Sequence, residues 1–184
     1  GEWSESKRNG TGKYVWAGGA VYNGEWKNDL KDGKGSMTWE DGSKYDGEWK
    51  NGLRHGTGTF VYTNGDKYIG EWKNDVQDGK GVYYFHNGEK YEGQYANSER
   101  TGHGVYTYPN GDIYRGEFNN GKQEGKGTFK WANGAVYTGQ WKDNERNGTG
   151  KYVWANGDVY EGEWKNNMAD GKGKLKMTDG SVYT

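Results

Sequence analysis

The sequence predicts an all-β chain, built as an elongated single-sheet array of consecutive antiparallel β-hairpins. Three observations predict it. The same pattern of glycines and aromatic residues returns every 23 residues without an insertion. Within each period, aromatic and β-branched residues alternate with glycine or polar residues, the two-residue rhythm of a strand with one sheltered face. Between two such runs stands a short segment ending in glycine, often Asn-Gly, which is a strong hairpin signal.

Each period supplies the same elements in the same order. Gly10-Thr11-Gly12-Lys13-Tyr14-Val15-Trp16 suits a first strand. Ala17-Gly18-Gly19 follows, and its sisters read Thr63-Asn64-Gly65 and Ala155-Asn156-Gly157. Ala20-Val21-Tyr22-Asn23-Gly24-Glu25-Trp26 makes the second strand. The polar run Asn28-Asp29-Leu30-Lys31-Asp32 reads as a link to the next hairpin.

Alternation puts Gly10, Gly12, Tyr14 and Trp16 on one face of the first strand, and Tyr22, Gly24 and Trp26 on one face of the second. Both sets share a side of the sheet only if the loop holds an odd number of residues. That predicts a three-residue turn at 17–19 closed by a left-handed glycine. The opposite face carries Thr11, Lys13, Val15, Asn23, Glu25 and Lys27 and is polar. A lone hairpin of this kind is marginal in water, so neighbouring units must share the burial of their rings. The glycines leave bare backbone for a neighbouring Trp to cover and let the sheet curl.

The triplet Gly1-Glu2-Trp3 recurs at Gly24-Glu25-Trp26, Gly47-Glu48-Trp49, Gly70-Glu71-Trp72, Gly93-Gln94-Tyr95, Gly116-Glu117-Phe118, Gly139-Gln140-Trp141 and Gly162-Glu163-Trp164. A tyrosine stands two before each later triplet, as at Tyr22, Tyr45 and Tyr68, and a Gly-x-Gly follows, as at Gly33 and Gly35. This pattern resembles the MORN repeat (membrane occupation and recognition nexus) along the whole chain. Residues 1–184 are read as one array of eight 23-residue periods, with seven complete hairpins and a cut inside a unit at both ends. The chain opens on Gly1, as a piece of something longer would. Departures are mild: Tyr95 and Phe118 stand for Trp, Gln94 and Gln140 for Glu, Met37 and Leu175 for an aromatic. The aromatic and glycine face is assigned to Trp26, Trp49, Trp72, Trp141, Trp164, Tyr22, Tyr45, Tyr68, Gly24 and Gly47, as core and not as a ligand site.

Composition narrows the function. Leu, Ile, Val and Phe number 19, too few for an ordinary core, but Trp, Tyr and Phe number 30 and the net charge is -1. Large rings therefore replace the missing aliphatics, and disorder is not expected. With no cysteine there are no disulfides or thiolate metal sites. No apolar stretch is long enough for a membrane helix. No basic block or stripe offers a nucleic acid its phosphate contacts, so none is expected as a partner. Each Gly-x-Gly precedes a strand, where a phosphate loop requires a helix. His55, His86 and His103 fall at three different places in the period, so no repeated metal set, and no cofactor, is expected. Glu25, Glu48, Glu71, Glu117 and Glu163 form a row on the polar face, with Lys34, Lys80 and Lys126 beside it as cross-strand ion pairs. The sequons at Asn9 and Asn147 read as chance matches.

A second period of 46 residues lies over the first. Arg8, Arg54, Arg100 and Arg146 occur in alternate units, while the others carry acid-lysine pairs such as Asp32 with Lys34, Asp78 with Lys80 and Glu124 with Lys126. Growth by duplication of paired units explains this. A sharper reading makes these residues loop positions that meet a repeating partner or a second copy.

No catalytic constellation is present, so the chain reads as a non-catalytic scaffold or protein-interaction rod, with self-association as one outcome. The resemblance implies cytoskeletal, ciliary or membrane-junction assemblies, such as radial spoke heads and junctophilins, and hence a cytoplasmic setting. It also implies two alternatives. One is a module binding anionic phospholipid through the lysines after each triplet, at positions 27, 50, 73, 142 and 165. The other is the accessory region of a larger enzyme, such as a phosphatidylinositol phosphate kinase.

Overall fold

The computed structural model describes residues 1–184, as seventeen strands in one antiparallel sheet with no helix. The chain divides into two compact units, residues 1–87 with 95–98, and residues 88–94 with 99–184. The first holds β1 (Glu2–Ser4), β2 (Lys7–Val15), β3 (Val21–Lys27), β4 (Leu30–Thr38), β5 (Lys44–Lys50), β6 (Leu53–Val61), β7 (Lys67–Lys73) and β8 (Val76–Tyr84). The strand β9 (Lys90–Ala96) lends residues to both. The second holds β10 (Glu99–Thr107), β11 (Ile113–Asn119), β12 (Lys122–Lys130), β13 (Val136–Lys142), β14 (Glu145–Val153), β15 (Val159–Lys165), β16 (Met168–Lys176) and β17 (Val182–Tyr183).

The expected hairpin is present with its expected turn. The Trp16 N–H donates to the Ala20 carbonyl and the Gly19 N–H to the Trp16 carbonyl, both at 2.9 Å. Gly19 has φ +98°, a left-handed conformation that glycine adopts without a side-chain clash. Three residues thus separate the paired ends, and Tyr14 stands opposite Tyr22, Gly12 opposite Gly24, and Gly10 opposite Trp26. The second unit repeats this turn at Gly111, Gly134 and Gly157.

The links between hairpins differ from the reading of them as polar connectors. Residues Leu30 to Asp32 already belong to β4, with Lys27 opposite Leu30 and Trp26 opposite Lys31. Only Asn28 and Asp29 turn the chain, both at positive φ (49° and 69°), the backbone of a tight two-residue hairpin turn. Asn51-Gly52, Asn74-Asp75 and Asn166-Asn167 do the same. Each unit is therefore a continuous meander in which consecutive strands pair, β1 pairing only with β2 and β17 only with β16.

The extra residues of each long strand are absorbed in a bulge. Gly24 faces Gly35, yet two residues later Trp26 faces Lys31, so Asp32, Gly33 and Lys34 together oppose Glu25. Gly33 takes φ +97° there, which explains the first glycine of the Gly-x-Gly.

The rings form a core one layer thick. In the first unit Tyr22, Tyr45 and Tyr68 are at most 1% exposed, and Trp26, Trp49 and Trp72 lie at 4–7%. Each tyrosine stands edge-on between the Trp of its own period and the ring of the next. Tyr22 lies 4.9 Å from Trp26 and 5.5 Å from Trp49, at interplanar angles of 83° and 88°. The second unit repeats this with Tyr114 between Phe118 and Trp141, and Tyr137 between Trp141 and Trp164. Such pairs contribute about 0.5–1.5 kcal/mol each beyond area burial. The Trp indoles are satisfied in turn, Trp49 Nε1 donating to the Gly35 carbonyl at 2.9 Å and Trp164 Nε1 to Gly150 at 3.1 Å. The ring that covers the bare glycines is the tyrosine, not the neighbouring Trp: Tyr22 lies over Gly24 and Gly35, its hydroxyl donating to the Glu25 carbonyl at 2.9 Å.

Candidate interaction surface

Three rows of side chains border this core, and the first explains the acid of the triplet. Lys34 lies solvent-exposed on the polar face, and its backbone N–H, not its ammonium, meets Glu25 Oε1 at 2.8 Å. Lys80 and Lys126 donate their N–H groups to Glu71 and Glu117 in the same way. The carboxylate thus closes the bulge while lying over its left-handed glycine. A Gln serves as well, because only an acceptor is needed: Gln140 Oε1 takes the Thr149 N–H at 2.7 Å. The cross-strand ion pairs expected here are replaced by these backbone contacts.

The second row is that of the alternating arginines. They do not stand outward at loop tips. Arg8 lies 4.2 Å over the Trp26 ring, Arg54 4.4 Å over Trp72 and Arg146 4.6 Å over Trp164, cation–π distances. Arg54 Nε also meets Asp75 Oδ1 at 3.0 Å, its Nη2 meets the Asp75 carbonyl at 2.9 Å, and its side chain is 20% exposed. Arg100 donates to the Gly121 carbonyl at 2.7 Å beside Tyr91 and Tyr106. One period on, the equivalent position carries Lys31, whose Nζ lies 3.9 Å over Trp49, or Gln77 and Gln123, which donate to the Tyr62 and Tyr108 hydroxyls. Both parity classes therefore cover rings in the same setting. The pattern lay 23 residues beyond Arg8, Arg54 and Arg100, at Lys31, Gln77 and Gln123, with Ala169 beyond Arg146, and not in the acid-lysine pairs.

The third row was not singled out in the sequence. Rings run beside the three-residue turns as a ladder, most of them partly exposed, with Phe60 and Tyr106 buried. In the first unit Trp39, Phe60, Tyr62, Tyr83 and Phe85 follow one another at centroid spacings of 4.5–5.7 Å. In the second Tyr106, Tyr108, Phe129, Trp131, Tyr152 and Trp154 do so at 4.5–5.7 Å. The legible signal was an aromatic just past the end of the long strand and, in most periods, another two residues before it, which alternation puts on one face. Beside the first ladder a groove of 380 Å³ has Trp39, Trp49 and Phe60 for walls and Lys31, Arg54 and Asp75 at its rim.

One acid anchors the ladder. Asp66 accepts from the Tyr83 hydroxyl at 2.8 Å, the His86 N–H at 2.8 Å and His86 Nδ1 at 2.7 Å. Burial works to raise its carboxyl, but the hydrogen bonds from His86, Tyr83 and Asn64 outweigh that and hold it at about 2. The core tyrosines move the other way: burial pushes Tyr91 and Tyr137 up to about 12, against the pull of Arg100 and Arg146. No three His, Asp or Glu side chains are grouped to hold a metal ion. What the surface offers is ring faces, cations and exposed backbone turns.

No curated protein matches the chain. Among solved structures it is similar to the SAS-4 (dCPAP) TCP domain of Drosophila melanogaster in complex with a proline-rich motif of Ana2 (dSTIL). The identity is 13%, over 94% of this chain and 88% of that one, with a TM-score of 0.52. It is also similar to the TCP10c domain of Drosophila melanogaster Sas-4, at 11% identity over 94% and 96% and a TM-score of 0.47. At such identities the likeness is one of fold. The family is carried by sequence: MORN repeats match residues 1–21, 22–44, 45–67, 68–90, 91–113, 114–136, 137–159 and 160–182. Triplet, bulge glycine and ring-covered glycine recur in step with those boundaries, and the chain belongs to the MORN repeat family.

Proposed function

We propose that the chain is a non-catalytic scaffold that holds a protein partner as an extended segment laid along the aromatic ladder. The ladder carries the reading: rings 4.5–5.7 Å apart from Trp39 to Phe85 leave one edge open to solvent, with Lys31 and Arg54 beside them. A chain in the polyproline conformation is already extended and packs its pyrrolidine rings between aromatic side chains, losing little entropy on docking. A TCP domain of the same fold was solved with a proline-rich motif, a ligand of this class. The setting that suits such a module is a cytoskeletal, ciliary or membrane-junction assembly on the cytoplasmic side.

A fluorescent proline-rich peptide titrated with the chain tests this by anisotropy. Saturable binding is expected, weakened about tenfold or more by Trp39→Ala or Tyr62→Ala, as for aromatic hot spots. Circular dichroism establishes that each variant remains folded. Undiminished binding by both variants would overturn the reading.

A further inference from the structure

The polar face of the second unit carries a trough of 770 Å³ whose floor is the bare backbone of Gly104, Gly116, Gly127 and Gly139. Its walls depart from the repeat. At the position of Arg115 the other periods place Asn23, Asp46, Ile69, Glu92, Thr138 and Glu161, so this is the one cation in that row. Two strands on, Gln140 stands where most periods have glutamate. Its Oε1 is taken by the Thr149 N–H at 2.7 Å and the Thr149 hydroxyl at 3.2 Å, which turns its NH2 group outward as a donor.

The acids nearby are already engaged. Glu92 accepts from Lys90 Nζ at 2.9 Å. Glu117 accepts the Lys126 N–H at 3.0 Å and lies 3.9 Å from His103 Nε2. Arg115 and the Lys126 ammonium have no carboxylate within 4.0 Å and line the trough, while the Thr128 and Thr138 hydroxyls bond one another at 3.1 Å. The local surface therefore presents donors in excess, on a chain whose net charge is -1.

We infer that this trough binds an extended acidic segment of a protein partner, its carboxylates meeting Arg115, Lys126 and the Gln140 amide. The trough crosses from β9 to β14, which at about 4.8 Å per strand is about 24 Å in an unbent sheet. That is the span of about seven extended residues. It is open along its length, as a chain needs and an enclosed small-molecule site is not. It lies on the polar face of the second unit, away from that unit's own ladder from Tyr106 to Trp154, so the two surfaces do not compete.

The full chain is titrated with a labelled Glu-rich peptide of about that length, followed by anisotropy. Saturable binding is expected, weakened at least about tenfold on going from about 0.1 M to about 1 M salt, as the screening length falls from about 10 Å to about 3 Å. The double variant Arg115→Glu, Lys126→Glu should reduce affinity at least about tenfold, as removal of paired interface charges does. Gln140→Glu keeps the acceptor for Thr149 and hence the fold, and should weaken binding by about threefold to tenfold as it restores the missing charge. A proline-rich peptide should bind all three proteins equally, which separates this site from the ladder. Equal binding of the acidic peptide by all variants overturns the inference. So does its failure to bind while vesicles containing phosphatidylserine sediment the chain, which would assign the cations to a membrane surface.

Discussion

The ring of Tyr22 lies so close over the α-carbon of Gly35 that a β-carbon built there would fall 2.5–2.6 Å from its Cζ and Cε2. The same tyrosine bonds forward to the Glu25 carbonyl, so it cannot swing away without losing that hydrogen bond. The second glycine of each Gly-x-Gly is thus a steric requirement of the tyrosine two strands' width of packing depends on.

Gly35→Ala should therefore cost about 1–3 kcal/mol or more by forced overpacking. Gly42→Ala is the control. A β-carbon there meets nothing within 4 Å, and the position has φ +88°, so its cost of about 1–2 kcal/mol comes from backbone conformation alone. Urea denaturation of the two variants, with tyrosine packing followed by near-ultraviolet dichroism, separates the causes. Loss of the near-ultraviolet signal is expected for Gly35→Ala only.

Glu25 closes its bulge as an acceptor, which makes charge dispensable. Glu25→Gln should change stability by no more than about 0.5 kcal/mol. Glu25→Ala leaves the Lys34 N–H without its partner and should cost about 1 kcal/mol. Comparable losses in both variants, measured by chemical denaturation, would mean that the carboxylate charge is what matters.

Arg54 covers Trp72 and ties down Asp75. Arg54→Ala should cost about 2 kcal/mol, combining a part-buried cation–π contact with lost hydrogen bonds. Arg54→Lys should recover part of this, because Lys31 holds the same relation to Trp49 at 3.9 Å. Thermal melts with Trp emission report both: the emission maximum should shift red in the alanine variant. An unshifted spectrum would show that the arginine does not shelter the ring.

The pH limits follow from the two displaced groups. Asp66 is held at about 2 in the folded chain, below the unfolded carboxyl near 4, so its contribution is complete above about pH 4 and disappears as pH falls toward 2. The contribution is about 2.5 kcal/mol, one pKa unit being about 1.4 kcal/mol. Asp66→Asn should flatten that acid limb. The buried tyrosines act at the other end. Tyr91 and Tyr137 titrate near 12 when folded, against about 10 unfolded, so their contribution is complete below pH 10 and is lost as pH rises through 12. Ultraviolet titration should show these phenols ionising together with unfolding, not before it.

Much of this was written locally. The 23-residue period, the three-residue turn ending at Gly19, and the shared face of Tyr22, Gly24 and Trp26 were all legible, because strand alternation and turn chemistry act between residues close in the chain. The links were misread because Asn28-Asp29 looks like any polar connector until both residues are seen at positive φ, with β4 already paired behind them.

What only the tertiary structure decided are relations across several strands. The sequence placed Arg8 and Arg54 in loops, but a guanidinium can face water or lie on a ring 18 residues on, and packing chose the ring. The Glu row could pair with lysine ammonium groups or cap backbone, and the bulge at Gly33 presented an N–H first. The ladder from Trp39 to Phe85 and the trough beside Arg115 arise where successive periods are set edge to edge, a distance no single period can encode. A repeat dictates its own hairpin through neighbours in sequence. Its surfaces belong to the stack, because each is assembled from side chains of several periods at once.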